Sequence, residues 1–218
     1  MAIDFSAARQ KMVDNQIRTS DVTSHSVLKA FLSVAREDFV PAHRKALAYV
    51  DSEIEIAPGR YLASAAPIAK LIQVAAITRS DVVLEIGCGS GYVAALLSQL
   101  AGSVVAVEAD ADLATAATDR LSAGGYDNVA VVTGDLAAGY ANDAPYDLIF
   151  VNGAVEEVPQ SLFNQLRDGG RLVAVVGSGG AAQAMLYSRL GDTVSGRPVF
   201  NAALKLLPGF AKKAEFTF

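Results

Sequence analysis

Three acidic side chains stand at or near the ends of short apolar segments and could together hold a cationic, ribose-bearing ligand. Glu85 lies in VVLEI, Glu108 ends SVVAVE, and Asp135 follows VAVVTG. Such apolar runs are typical of strands buried in a parallel sheet, and open α/β sheets bind ligands along the carboxyl ends of their strands. A single acid there is more often a helix cap, but three on successive strands favour a ligand site.

Three glycines at alternate positions, Gly87, Gly89 and Gly91, follow the first of these strands. Glycine accepts a positive φ and lets a ligand approach the backbone closely. We expect the amides of Ser90 and Gly91 to face the site at the positive end of the next helix. The spacing departs from the dinucleotide pattern G-x-G-x-x-G, and the lysine of a phosphate-binding loop is absent after Gly91. The alternative is a tight strand-to-helix turn that binds no ligand.

The positions of the acids favour S-adenosylmethionine over a pyrophosphate-containing cofactor. Glu85 would repel a pyrophosphate but attract an ammonium group, directly or through water. Glu108 comes about twenty residues after the first glycine, where a carboxylate accepts from both ribose hydroxyls. Asp135 is placed to accept from an adenine amino group. The predicted cofactor-binding residues are Glu85, Gly87, Cys88, Gly89, Ser90, Gly91, Glu108, Ala109, Asp135, Leu136 and Asn152.

Other reactive residues are sparse. His25 and His43 are far apart in the amino-terminal part, and we assign both to surface or capping roles. We expect no metal, because no histidine, cysteine or carboxylate cluster has ligand spacing. Cys88 is interpreted as a small side chain beside the cofactor, not as a nucleophile. No serine stands in a G-x-S-x-G elbow, so a hydrolase triad has no anchor.

Composition narrows the classes further. The 218 residues are 52% hydrophobic, with a mean hydropathy of +0.32. The net charge is −5 and the sequence contains no basic tract, which argues against a nucleic-acid partner. One cysteine suits a reducing cytoplasm, and the amino terminus has no secretory pattern. The most apolar run, residues 62–77, is interrupted by polar residues and is too short to span a bilayer. We predict a cytoplasmic protein, a monomer or weak homodimer, without membrane or nucleic-acid partners.

The pattern predicts one domain over residues 1–218. Residues 1–80 form a helical cap and lid, 81–177 the cofactor-binding core, and 178–218 edge strands. In the first part we expect helices at 5–17, at 23–34 with Asp21 or Thr23 as the cap, and at 68–76. Residues 49–67 are predicted to be an irregular loop over the cofactor edge.

In the core, strands are predicted at 82–86, 103–108, 128–135, 146–152 and 171–177. Helices are predicted at 92–100 and from Pro159 to Leu166, and a turn at 168–170. Residues 184–190 and 193–200 favour a terminal hairpin, and 214–218 a last strand. The order of the last strands is left open.

Several segments resemble the protein-L-isoaspartate O-methyltransferase family: MVDNQI, VLKAF, REDFVP, AYVD, LEIGCGSGY, PYDLIFV and GGRLV. The resemblance extends from residue 12 to about residue 177. It implies an α/β fold, a doubly wound, mostly parallel, seven-stranded Rossmann-like methyltransferase sheet with an amino-terminal helical cap. It also implies S-adenosylmethionine as cofactor and isoaspartyl-containing proteins or peptides as partners.

The lid departs from the family pattern. Family members carry QTISQP there, with the threonine and serine hydroxyls at the substrate carboxylate. Anchored on Pro67, this chain reads LASAAP, so Ala63 and Ala65 replace both hydroxyls. Ser64 is the remaining hydroxyl and the candidate catalytic residue.

The departure leaves more than one function open. A carboxylate is already ionised at neutral pH, so methyl transfer to it needs alignment and dry surroundings but no general base. The resemblance favours carboxyl O-methylation of L-isoaspartyl residues. The alternatives are a relative that methylates a small-molecule acceptor, and a cofactor-binding module without repair activity.

Overall fold

The computed structural model describes residues 3–211. The helices are α1 Phe5–Met12, α2 His25–Ser33, α3 Ala65–Ala75, α4 Tyr92–Ser98, α5 Ala111–Ala123 and α6 Gln160–Asn164. The strands are β1 Ile54–Ala57, β2 Arg60–Leu62, β3 Val82–Ile86, β4 Ser103–Glu108, β5 Val129–Thr133, β6 Tyr146–Val155, β7 Leu166–Val176, β8 Gln183–Leu190 and β9 Thr193–Asn201.

Seven strands form one sheet in the order β5-β4-β3-β6-β7-β8-β9. The first five strands in this order are parallel to one another. β8 then pairs antiparallel with β7, and β9 pairs antiparallel with β8. The predicted seven-stranded, mostly parallel sheet and its terminal hairpin are therefore confirmed. Residues 214–218, predicted as a last strand, lie outside the described residues.

Side chains of the central strands alternate between two cores, one on each face of the sheet. In β3, Val83 packs into the core shared with Phe31 of α2, while Leu84 packs into the core shared with Leu162 of α6. Both side chains are fully buried. Covering on both faces explains why these strands are almost continuously apolar.

The amino-terminal cap is helical as predicted, but its second helix begins elsewhere. The residue before α2 is Ser24, which makes no side-chain capping bond. Asp21, one of the two predicted caps, instead closes the preceding turn with a left-handed φ of 64°. Asp is among the residues that tolerate this conformation.

The lid is not the irregular loop that the sequence suggested. β1 and β2 form an antiparallel hairpin in which Ile54 pairs with Leu62, and α3 already begins at Ala65. Gly59 has a φ of +70° at the turn. Pro67 lies in the first turn of α3, where a missing N–H removes no helical bond.

Three further boundaries differ from the predictions. The predicted turn at 168–170 lies within β7 as a bulge, since Tyr146 pairs with Leu166 but Leu148 with Arg171. The bulge adds three residues to β7, and Gly169 there has a φ of +75°. α6 ends at Asn164 and α4 at Ser98, both two residues earlier than predicted. Among residues 3–211, the helices are all too short or too polar to cross a membrane.

Candidate active site

The glycine turn joins β3 to α4 at the carboxyl edge of the sheet. Gly87, Gly89 and Gly91 have φ values of 81°, 57° and 91°, which side-chain-bearing residues rarely adopt. The amides of Gly87 and Cys88 both donate to the Val107 carbonyl, at 2.9 and 3.1 Å. The Gly91 amide donates to the Cys88 carbonyl within the turn, so it does not face a ligand as the sequence suggested.

Glu108 is the electrostatic centre of the site. Its side chain is fully buried at the end of β4. One carboxylate oxygen, Oε2, accepts from the Gly89 amide at 2.7 Å, and Oε1 accepts from the amides of Ala109 and Asp110 at 2.9 and 3.1 Å. Ala109, predicted to bind cofactor, therefore acts on Glu108 through its backbone. These three amides fix the carboxylate in one orientation.

Arg60 of the lid strand β2 forms a bidentate ion pair with Glu108. Nη2 lies 2.7 Å from Oε2, and Nη1 contacts Oε1. Both residues are buried. The sequence analysis did not identify Arg60, because its partner Glu108 is 48 positions away. The one signal in the sequence was a single cation in the predicted lid segment, which was expected to lie over the predicted carboxylates.

Glu85 is fully buried and only partly satisfied. Oε1 accepts from the Asn152 side-chain amide at 2.9 Å, whereas Oε2 has no hydrogen-bond partner among the described residues. Burial raises the pKa of Glu85 to about 8; the Asn152 bond opposes the shift, and the negative charge of Glu108 adds to it. An unpartnered buried carboxylate oxygen is costly, and it favours a cationic ligand there.

Cys88 is a buried free cysteine in the field of both acids. Burial, and then the charges of Glu85 and Glu108, raise the pKa of its thiol well above the usual value. The thiolate is the reactive form, so this environment keeps the side chain unreactive. Ser90, also buried, has a hydroxyl without a partner in the described chain.

The third predicted acid lies further out. Asp135 is exposed, and its Oδ1 accepts from the Ala137 amide at 2.9 Å. The Gly134 amide donates to the Glu108 carbonyl at 2.9 Å, which holds the end of β5 beside the end of β4. Leu136 is buried in the core that α6 covers. Asp135 is thus at the expected edge.

Two segments cover the glycine turn. Ile56 of β1 lies so close to Gly89 that a Cβ there would be 2.9 Å from its Cδ1, and Leu207 lies equally close to Gly87, at 2.8 Å. Residues 205–207 are held along β6 by backbone bonds of 2.9 Å from Ala154 to Lys205 and from Leu207 to Ala154. The cavity left beside them has a volume of about 20 Å³, enough for roughly one water molecule.

The lid is anchored by a second arginine, Arg36. Its Nε donates to the Ala48 carbonyl at 2.7 Å and its Nη2 to the Ala63 carbonyl at 2.6 Å, while the guanidinium carbon lies 4.9 Å from the Tyr92 ring centre. Burial lowers the pKa of Arg36. One side chain thus connects the cap, the lid and α4.

Ala63, whose carbonyl accepts from Arg36, and Ala65 stand at the two positions where the family carries hydroxyls. Ala63 is half-buried and Ala65 is buried in the core, so neither supplies a polar group through its side chain. Ser64 precedes α3 and makes no capping bond with its side chain. Its assignment as the catalytic hydroxyl stays a prediction.

The carboxylate acceptors of the site fit S-adenosylmethionine. The unpartnered oxygen of Glu85 suits an ammonium group, and Glu108 stands beside the glycine turn where a carboxylate accepts from ribose hydroxyls. The space itself is closed in this conformation by Arg60, Ile56 and Leu207. The chemistry is therefore in place, beside a turn that these three side chains cover.

The sheet, the glycine turn and the paired acids define a class, the S-adenosylmethionine-dependent methyltransferases. The model of the protein-L-isoaspartate (D-aspartate) O-methyltransferase family matches residues 7–202. The chain belongs to this family.

Individual relatives agree. The chain is 41% identical over 174 residues to the protein-L-isoaspartate O-methyltransferase of Koribacter versatilis, covering 80% of this chain and 78% of that protein. It is 43% identical over 169 residues to that of Methanoculleus marisnigri, covering 78% and 77%.

Solved structures show the same fold. A protein-L-isoaspartate O-methyltransferase superposes with a TM-score of 0.80 at 28% identity, over 92% of this chain and 66% of that one. A Plasmodium falciparum homologue, solved with S-adenosyl-L-homocysteine, gives a TM-score of 0.76 at 15% identity, over 94% and 99%.

Proposed function

We propose that the chain transfers a methyl group from S-adenosylmethionine to the free carboxylate of L-isoaspartyl residues in damaged proteins. The observation that carries the proposal is the buried, unpartnered Oε2 of Glu85 beside the glycine turn, in a chain that matches the family over residues 7–202. An ammonium group would satisfy that oxygen and favour the ionised carboxylate.

The residues have distinct tasks in this reaction. Glu85, oriented by Asn152, would hold the ammonium group, Glu108 the ribose hydroxyls, and Asp135 the adenine amino group. When bound, the cofactor supplies a methyl group on a sulfonium, which a carboxylate oxygen attacks in line as the carbon–sulfur bond breaks. Because the acceptor is ionised at neutral pH, the site needs no general base. The lid excludes water and aligns the acceptor.

The lid also gives a reason to consider a second acceptor class. Ala63 and Ala65 cannot donate to an isoaspartyl carboxylate through their side chains, and Ser64 offers the single hydroxyl of this segment. A relative that retained the cofactor residues and methylates a small molecule would need neither hydroxyl. The experiment must distinguish this small-molecule methyltransferase from an isoaspartyl methyltransferase.

A methylation assay with labelled donor tests the proposal. An isoaspartyl peptide should gain a base-labile methyl ester, and the same peptide with normal aspartate should gain none. Changing Ala63→Thr and Ala65→Ser together should raise the rate at least about tenfold, because small gains in alignment have large effects on rate. Ser64→Ala removes the remaining hydroxyl of this segment and should lower the rate. Proven binding of S-adenosylhomocysteine without ester on the isoaspartyl peptide would favour the alternative.

We propose a cytoplasmic location and a monomer or weak homodimer. The single cysteine, Cys88, supports a reducing compartment. The net charge of −5 without a basic tract supports partners other than nucleic acid.

A further inference from the structure

Arg60 occupies the hydrogen-bonding positions that a ribose would use. Three backbone amides and both terminal nitrogens of Arg60 already donate to the two oxygens of Glu108. The amides belong to the turn and to the start of α5 and would stay when a ligand enters. The guanidinium is the donor that a side-chain rotation can withdraw.

A withdrawn guanidinium needs another anion. Arg60 is 8% exposed, and a buried charge that loses its partner is strongly destabilised. The small cavity of the site is bordered by Arg60 and Ala63 together, along with Asn152 and the ion pair of Lys205 with Glu53, whose Nζ–Oε2 distance is 3.6 Å. The side chain therefore already borders the place where the lid lacks its hydroxyl.

We infer that Arg60 is the residue that positions the acceptor carboxylate in this chain. When ribose hydroxyls take Glu108, the guanidinium turns toward Ala63 and binds the acceptor carboxylate in place of the missing hydroxyls. The planar guanidinium suits carboxylates, as its present bidentate contact with Glu108 shows. This inference rests on the proposed function.

The exchange couples the two ligands. The cofactor must displace a cation from Glu108, and the acceptor stabilises the displaced cation. Each ligand therefore strengthens the binding of the other, and the coupling is reciprocal. A merely structural Arg60–Glu108 pair would weaken cofactor binding without producing this coupling.

Calorimetric titration of S-adenosylhomocysteine, with and without an isoaspartyl peptide, tests the inference. In the unchanged protein, saturating peptide should lower the Kd of S-adenosylhomocysteine about tenfold, in the range typical of coupled sites. In Arg60→Gln, S-adenosylhomocysteine alone should bind several-fold more tightly, the peptide several-fold more weakly, and the coupling should fall to about one. Arg79→Gln, an exposed arginine before β3, is the matched control and should behave like the unchanged protein.

Other outcomes would overturn the inference. Equal or weaker binding of S-adenosylhomocysteine to Arg60→Gln would show that Arg60 does not compete with the ribose. Unchanged peptide affinity or unchanged coupling would show that it does not hold the acceptor. If Arg60→Gln does not fold, Arg60→Lys replaces it and should weaken peptide binding several-fold. These readouts are binding constants, so an enzyme that binds the peptide but forms no ester would refute the proposed function and leave the exchange supported.

Discussion

At the scale of single residues, the site contains two buried carboxylates that differ in how many of their oxygens have hydrogen-bond partners. Among the described residues, Glu108 accepts from five donor atoms, whereas Glu85 accepts only from the Asn152 amide. Burial raises the pKa of Glu85 to about 8. Glu85 is therefore mainly protonated at neutral pH until a cation arrives.

Glu85→Gln should change how stability depends on pH. The pKa of Glu85 is about 8 in the folded chain, against an ordinary value of 4.5, so the folded state binds more protons between these values. The free energy of unfolding of the unchanged protein should therefore fall as pH rises from 5 to 8, by at most about 1.4 kcal/mol per pH unit. Glu85→Gln lacks this loss and should gain relative stability over that window.

Urea unfolding at pH 5, 6.5 and 8 without ligand measures the difference. Glu55→Gln, at an exposed acid, is the matched control and should follow the unchanged protein. Parallel pH profiles for Glu85→Gln and the unchanged protein would contradict the raised pKa.

Local pattern identified the acids but not their cation. Glu85, Glu108 and Asn152 follow apolar runs, so strand ends alone place them at one edge. Arg60 pairs with a residue 48 positions away, and no local spacing records such a pairing. The closing of the site by Ile56 and Leu207 was missed for the same reason.

At the scale of elements, the glycine turn depends on what packs against it. Gly91 has a φ of +91°, and an added Cβ would lie 3.2 Å from Leu121 Cδ1 and 3.4 Å from Ala117 Cβ of α5. The turn is therefore constrained by its backbone and by a neighbouring helix. At 3.2 Å, the Leu121 side chain must shift by a few tenths of an ångström to admit an added Cβ.

Gly91→Ala should destabilise the protein by about 2–4 kcal/mol, through backbone strain and crowding together. Gly125→Ala is the control that separates them, because Gly125 has a φ of +71° with open space around it. It should cost only about 1–2 kcal/mol from strain. Thermal and urea unfolding of both variants provide the comparison. Equal losses would mean that contact with α5 contributes nothing.

Element prediction succeeded where the pattern was long and failed where it was short. The buried strands β3, β4 and β6 are mostly apolar and were located to within a few residues. The lid strands β1 and β2 have four and three residues, and their alternating apolar and polar positions are too few to separate from a loop. The bulge of β7 depends on pairing with β6, which the sequence of β7 alone does not contain.

At the scale of the whole molecule, one arginine holds the end of the sheet opposite the site. Arg171 of β7 donates to the Ala76 carbonyl at 3.1 Å, the Asp147 carbonyl at 3.2 Å and Asp81 Oδ2 at 2.5 Å. These partners belong to the end of α3, to β6 and to the residue before β3. The sequence left the order of the last strands open, because a hairpin pattern does not say against which edge it packs.

Asp81→Asn should lower the free energy of unfolding at pH 7 by about 1–3 kcal/mol, because it leaves Arg171 with a weaker partner. Burial raises the pKa of Asp81, but its bonds with Arg171 and Thr78 outweigh this and lower it. A depressed pKa contributes stability that is present at neutral pH and lost as pH falls below the usual range of aspartate. The difference between variant and unchanged protein should therefore shrink as the pH falls below about 4.

Unfolding at pH 7 and pH 3 tests this dependence. Asp38→Asn is the control, since its pair with Lys45 is exposed at 3.2 Å and should be worth about 0.5 kcal/mol or less. A loss that persists unchanged at pH 3 would show that the charge of Asp81 is not responsible.

The contact of Leu207 with Gly87 also has a consequence for synthesis on the ribosome. A growing chain releases the turn, Glu85, Glu108 and Asn152 before it releases Leu207, and domains begin to fold from the amino end. Leu207 is therefore the last of the three covering side chains to leave the ribosome, because Ile56 and Arg60 precede the turn in the chain.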